Sequence, residues 1–150
     1  LLTITGGSNY TLTNATITDN YYSKVENPQG FPHWFSWSHT WSCSGSMTIG
    51  SFIENDCRFR IVGNFCQIHA HVEGTTGGSA SNSIYLSLPR TSSDNFYRGG
   101  GVVSDPGAAI SGFWFIQPSS NNVAFRKYDA SNFGLGSMRT VAGIIWYEYV

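Results

Sequence analysis

CRFRIVGNFCQIHAHVEG, residues 57–74, decides how this chain folds. Gly63-Asn64 at its centre is dipeptide chemistry suited to a tight primed turn between two strands. A hairpin turning there pairs Val62 with Phe65, Arg60 with Gln67 and Arg58 with His69. Alternation then segregates the side chains cleanly. One face carries Arg58, Arg60, Gln67, His69, His71 and Glu73, and the other Cys57, Phe59, Ile61, Cys66, Ile68, Ala70 and Val72.

The same stretch holds a competing motif. Gly63, five residues and His69-x-His71 match the opening of a cupin metal site. Such a site needs a glutamate four or five positions later and a further downstream histidine. Thr75 and Thr76 stand where the glutamate should be, Glu73 comes too early, and the other histidines, His33 and His39, lie upstream. Two-fold periodicity therefore predicts a polar sheet face, with no metal and no cofactor.

Composition agrees with an all-β protein that works outside a cell. The 150 residues suffice for one core, and hydrophobic residues make up 41%. Charged residues are only 11%, against about 25% in typical domains. The formal net charge is -1 with no basic run, so the electrostatic footprint of a nucleic-acid binder is absent. No apolar stretch approaches the ~20 residues of a membrane span, and no signal peptide is evident. The abrupt start at Leu1 suits a mature product or the end of a longer polypeptide. Cys43, Cys57 and Cys66 cannot all pair, and their spacing is not that of a zinc site. Buried free thiols are expected, with one disulfide as the alternative.

No window of helical periodicity is found. Short alternating apolar runs separated by Gly, Ser, Asn and Pro predict an antiparallel sandwich or barrel. Residues 1–33 read as an N-terminal arm or short strands, and 34–150 as one globular domain. Three segments read as loops: 73–83 (EGTTGGSASNS), 92–107 (SSDNFYRGGGVVSDPG) and 129–137 (DASNFGLGS). Chemical signatures are few. There is no nucleophile elbow, phosphate-binding loop or zinc-protease motif, and the acids are scattered. Asn9 and Asn14 begin glycosylation sequons. Trp34, Trp37 and Trp41 could make a sugar-stacking platform, though a strand packing on the core explains them more simply.

Two strands look apolar on both sides. In AAISGFWFI, Phe113 and Phe115 oppose Ile110, Trp114 and Ile116. In TVAGIIWYEYV, Val141, Ile145, Tyr147 and Tyr149 oppose Ala142, Ile144, Trp146 and Val150. A sandwich strand needs one apolar face; a second calls for a cover such as another subunit.

SGSMTIGSF, then CRFRIVGNFCQIHAHVEG, then a Gly/Ser loop into SIYLSLP resembles the jelly-roll head domains of phage tail fibres and other viral appendages. Those domains are similar to the trimeric complement and tumour-necrosis-factor-like jelly rolls. Cys57 and the tryptophan-rich approach depart from the pattern. The resemblance implies an antiparallel jelly-roll β-sandwich assembled as a homotrimer, with the C-terminal strand near the interface. It places His69, His71, Ile145, Tyr147 and Tyr149 at that interface. Histidines gathered round a threefold axis would gain charge and repel as pH falls through about 6.5, so an acid-sensitive trimer is expected.

The implied function is that of a non-enzymatic virion protein, a fibre head or capsid decoration on the particle surface. Its partners would be further copies of itself, other virion proteins and a host-surface glycan or protein. Recognition would come from loops, with Tyr97, Arg98 and Phe133 as receptor-contacting residues. A carbohydrate-binding module or lectin is the alternative, and a cupin-like metal protein the third reading.

Overall fold

The computed structural model describes residues 34–36, 38–106 and 108–150. The expected arm over residues 1–33, both sequons, His33 and Trp37 lie outside the described residues. The described residues form β-strands and turns: β1 (Phe35–Ser36), β2 (Trp41–Cys43), β3 (Met47–Val62), β4 (Phe65–Gly78), β5 (Ile84–Ser87), β6 (Tyr97–Ser104), β7 (Ala109–Ile116), β8 (Asn122–Lys127) and β9 (Gly136–Glu148).

These strands make one antiparallel sheet in the order β1-β3-β4-β9-β6-β7-β8-β5-β2. Two separate sheets are not what layers the core. β2 is the last strand in that order and β3 the second, yet only Ser44, Gly45 and Ser46 join them. The sheet must therefore curl until its ends meet, and Trp41 on β2 packs 5.2 Å, ring to ring, from Phe52 on β3. Irregular pairing assists the bend. Phe52 faces Gly74 and Gly74 faces Arg139, and the ladder shifts register beside this row on both sides. Bulges of this kind bend and twist the strands that carry them.

The 57–74 hairpin has the register that the sequence predicts: Val62 pairs with Phe65, Arg60 with Gln67 and Arg58 with His69. Gly63 turns the chain at φ 63°, a backbone state that glycine enters without steric cost. Cys57, Phe59, Ile61, Cys66, Ile68, Ala70 and Val72 are all buried. With Ile84, Leu86, Trp114, Ile116, Phe125, Val141 and Ile145 they form the core inside the curl. Each such aliphatic or aromatic side chain contributes about 1.5–3 kcal/mol by leaving water. The three cysteines are free thiols; Cys57 and Cys66 lie in the core and Cys43 is half-buried.

Several loop expectations are corrected. The glycine-rich 97–104 segment is strand β6, and β4 continues to Gly78 through what read as a loop. Phe133 is 0% exposed, so it cannot be a receptor contact in this fold. Its ring packs in the core, with Lys127 Nζ 5.5 Å from its centroid. The same side of the fold holds a buried ion cluster. Asp105 accepts from Lys127 and from the Gly134 amide at 3.0 Å, and forms an ion pair with Arg139, whose Nε lies 2.8 Å from its Oδ1. Lys127 also donates to the Asn132 carbonyl, and Arg139 to those of Gly134, Ser137 and Leu135. The cluster ties the β8–β9 connection to the strand ends, which is why a segment of Ser, Asn and Gly keeps a fixed course.

The C-terminal strand corrects the interface expectation. β9 lies between β4 and β6, and its alternation puts Val141, Ile145 and Tyr147 into this chain's own core at 0% exposure. Ile145 and Tyr147 therefore cannot meet a second copy. Tyr147 donates instead to the Arg90 carbonyl at 2.9 Å. Tyr149 is half-buried near the hairpin turn, donating to the Gly63 carbonyl at 3.3 Å. The outward residues of β9 are Ile144, 55% exposed, and Trp146, 42% exposed.

Candidate functional site

Two surface features on the outside of the sheet stand out, and both follow from alternation. β6 sends Tyr97, Gly99, Gly101 and Val103 inward and Arg98, Gly100 and Val102 outward. β7 sends Trp114 and Ile116 inward and Phe113 and Phe115 outward; the sequence predicts that the two pairs lie on opposite faces, and the fold decides which looks outward. On β8, Arg126 pairs with Phe113 and faces outward with it.

The result is a groove of about 470 Å³ across β6, β7 and β8. Phe113, Phe115 and the adjacent Phe96 give it apolar walls, Gly99 and Gly100 a flat floor, and Arg98 and Arg126 its charge. Phe96 and Phe115 are stacked, centroids 5.9 Å apart at 13°. Each ring carries a guanidinium: Arg98 lies 5.6 Å from Phe96 and Arg126 4.9 Å from Phe115. Stacking of this kind holds an arginine over a ring while its N–H edge stays available to donate. Ser83 Oγ takes only the Nε of Arg126, at 2.7 Å.

Phe115 and Arg126 also line a second, polar cleft of about 330 Å³, so the two are continuous. Tyr85, Gln117, Ser120 and Asn122 supply its hydroxyl and amide groups. Among the described residues no carboxylate lines the groove or the cleft. Cys43, at the cleft, is pushed up to about 11 by burial, so its thiol stays protonated at neutral pH and is a weak nucleophile. This set of groups can hold a ligand by stacking and hydrogen bonding.

The second feature lies on the outward side of β4, β9 and β6. His69, His71, Ile144, Ala142, Gly100 and Val102 line a shallow depression of about 740 Å³. His71 and Val102 both pair with Ala142, so these residues form one row across three strands. Ile144, Trp146 and Val102 are all exposed on this side. Gly100 belongs to both features, so the groove and the flat face adjoin.

Of the residues that sequence picks out as receptor contacts, Arg98 alone stands in the groove. Tyr97 turns inward, its hydroxyl 2.7 Å from Ser93 Oγ and 3.3 Å from Glu148. His69 and His71 sit on the flat face, His69 Nδ1 being 3.9 Å from an Asp56 oxygen. Among the described residues no group of three His, Cys, Asp or Glu is placed to hold a metal ion. In the tryptophan-rich approach, Trp34 lies under the Arg60 guanidinium at 4.8 Å and Trp41 packs on His39 and Phe52, so these two make no shared flat platform. Phe96 and Arg126 were missed by sequence reading. Their only sequence signal is the second apolar face of β7, since strand pairing is what brings them to it.

No family model matches the chain, and no curated protein matches it. Among solved structures the chain matches the head domain of lactococcal phage bIL170, solved in work on the receptor-binding domains of lactococcal phages. The match has 9% identity and a TM-score of 0.44, over 75% of this chain and 100% of that one. At that identity the likeness concerns the course of the strands and assigns no residue a role.

Proposed function

We propose that the chain is a non-enzymatic attachment domain of a virus or phage particle, a jelly-roll head that binds a host-surface molecule in the Phe96–Arg98–Phe115–Arg126 groove. The observation that carries this reading is the groove itself, in which three phenyl rings and two arginines face solvent beside a cleft of neutral hydroxyl and amide groups. Isolated exposed apolar residues need no explanation, but a concave aromatic cluster with convergent polar groups is the usual build of a binding site. The family resemblance of residues 45–89 supports a virion role, and receptor binding is what is said of the bIL170 protein.

Self-association belongs to the same reading. The flat face with Ile144, Trp146 and Val102 suits a second copy of the chain, because glycines and Ala142 let another surface approach closely. Closed symmetry makes such contacts self-limiting, and the head-domain resemblance favours three copies. His69 and His71 would then be brought close to further copies of themselves.

A native mass spectrum and a cell-adhesion assay test the two parts. A metal-free trimer that adheres to a subset of a bacterial panel, with adhesion lost in Phe96→Ala/Phe113→Ala, is the expected result. A monomer carrying one metal ion per chain, or adhesion indifferent to those substitutions, would overturn it.

A further inference from the structure

Among the described residues no carboxylate pairs with the charge in the groove. Among the described residues Arg98 has no hydrogen-bond acceptor or carboxylate partner, and its guanidinium lies 5.6 Å from the centre of the Phe96 ring. Arg126 gives its Nε to Ser83 Oγ and has no carboxylate partner. Three other cations of this chain do have an acid partner. Asp105 answers Lys127 and Arg139, and Asp56 answers Arg58 at 3.0 Å. In a chain with few charges and a formal net charge of -1, two arginines held over rings with no acid near them form a local excess of positive charge. Their N–H groups stay open towards the groove. Neutral hydroxyl and amide groups continue from there into the cleft.

We infer that the groove takes an anionic saccharide, a sugar bearing a carboxylate or a phosphate. Its charged oxygens accept from Arg98 and Arg126, and its neutral hydroxyls reach Tyr85, Gln117 and Asn122. This rests on reading the groove as the attachment site. Guanidinium is suited to the shared chemistry, because its planar fork pairs with the paired oxygens of either anion. Phe113, which carries no arginine, leaves an apolar wall for the C–H face of the ring. A neutral glycan could accept from the same N–H groups through its hydroxyls, but would leave both positive charges without a counter-charge and forgo the stronger charge-assisted bonds.

The test is a titration followed by NMR, using glucose 1-phosphate, glucuronate, glucose and inorganic phosphate on the full chain. The two sugar acids are expected to shift the Gly99 and Gly100 amides and to bind about tenfold or more tighter than glucose, as one charged hydrogen bond would give. Raising salt from about 50 to about 500 mM should narrow that gap. Arg98→Gln should remove most of the preference; that side chain holds no other part of the fold, so the variant remains folded. Equal binding of glucose, or an unchanged preference in Arg98→Gln and Arg126→Gln, would overturn the inference. So would inorganic phosphate binding as well as glucose 1-phosphate, which would mark an anion site without sugar recognition. Cell adhesion separates the two levels. If Phe96→Ala/Phe113→Ala abolishes adhesion while Arg98→Gln does not, the attachment site stands and the anionic ligand fails. If neither changes adhesion, the site itself fails.

Discussion

The indole of Trp114 fills the space that a side chain at Gly99 would need. A Cβ on Gly99 would stand 2.5 Å from Cζ2 of Trp114, and one on Gly101 2.9 Å from the Ala142 carbonyl oxygen. Gly99 and Gly101 are therefore part of the packing: Trp114 of β7 lies against the first and the backbone of β9 against the second. Gly99→Ala should cost about 1–3 kcal/mol through overpacking, read as a lower urea midpoint. Because Gly99 also floors the groove, the same variant should weaken ligand binding. Gly100→Ala, where an added Cβ meets nothing within 4 Å, should leave stability within about 0.5 kcal/mol.

The buried cluster around Asp105 predicts an asymmetric response. Asp105→Asn leaves Lys127 and Arg139 buried without a counter-charge, and should cost about 3–5 kcal/mol. Hydrogen exchange should rise first at Asn132 to Gly136, the backbone that the cluster pins. A variant with native stability and unchanged exchange would show that the cluster carries no such role.

The outward and inward faces of β9 can be told apart by paired substitutions. Ile145→Asp places a carboxylate in the core and should unfold the chain, since burying an unpaired charge costs more than a domain of this size can spare. Ile144→Asp should leave the circular-dichroism spectrum and melting behaviour of the fold intact while moving the native mass spectrum towards monomer. If Ile144→Asp leaves the assembly unchanged, the flat face is not where copies meet.

Burial pushes the thiols up, Cys57 to about 11 and Cys66 to about 12, against about 8.5 in an unfolded chain. The folded state thus holds these protons more tightly than the unfolded state. The associated stability is complete below about pH 8.5 and is lost as pH rises through about 9 to 12. Cys66→Ala should lower stability at neutral pH by leaving a small cavity, yet reduce the alkaline loss by on the order of a few kcal/mol. Urea midpoints measured across that pH range would show a shallower slope. An equal slope in both proteins would rule out the thiol as a contributor.

How much of this was legible in the sequence differs from strand to strand. The 57–74 hairpin could be read because a turn dipeptide and strict alternation agree on one register. β6 could not, because Tyr-Arg-Gly-Gly-Gly has the composition of a loop, and the reason for Gly99 sits fifteen residues away in Trp114. Phe133 read as a surface residue from its Ser, Asn and Gly neighbours, while the Asp105 ion cluster that holds its loop in place is assembled from three distant segments. On β9 both faces are apolar, so alternation alone could not say which looks inward; pairing with β4 and β6 decides it. The groove shows the same limit. Arg98 was visible as a candidate loop residue, but Phe115 and Arg126 come to stand beside it only through the β6–β7–β8 ladder.

The place of β9 has a consequence for how the chain comes to be folded. The strand latest in chain order among the described residues sits in the interior of the sheet, between β4 and β6. Until β9 arrives, the facing edges of those strands stand unpaired and Val72, Val103 and Ile68 lack their cover. Such contacts span long separations in sequence, which slows folding and prolongs the exposure of sticky intermediates. During synthesis the sheet would thus stay open until residues 136–148 have left the ribosome. Incomplete chains would then be marked for removal by their own exposed strand edges.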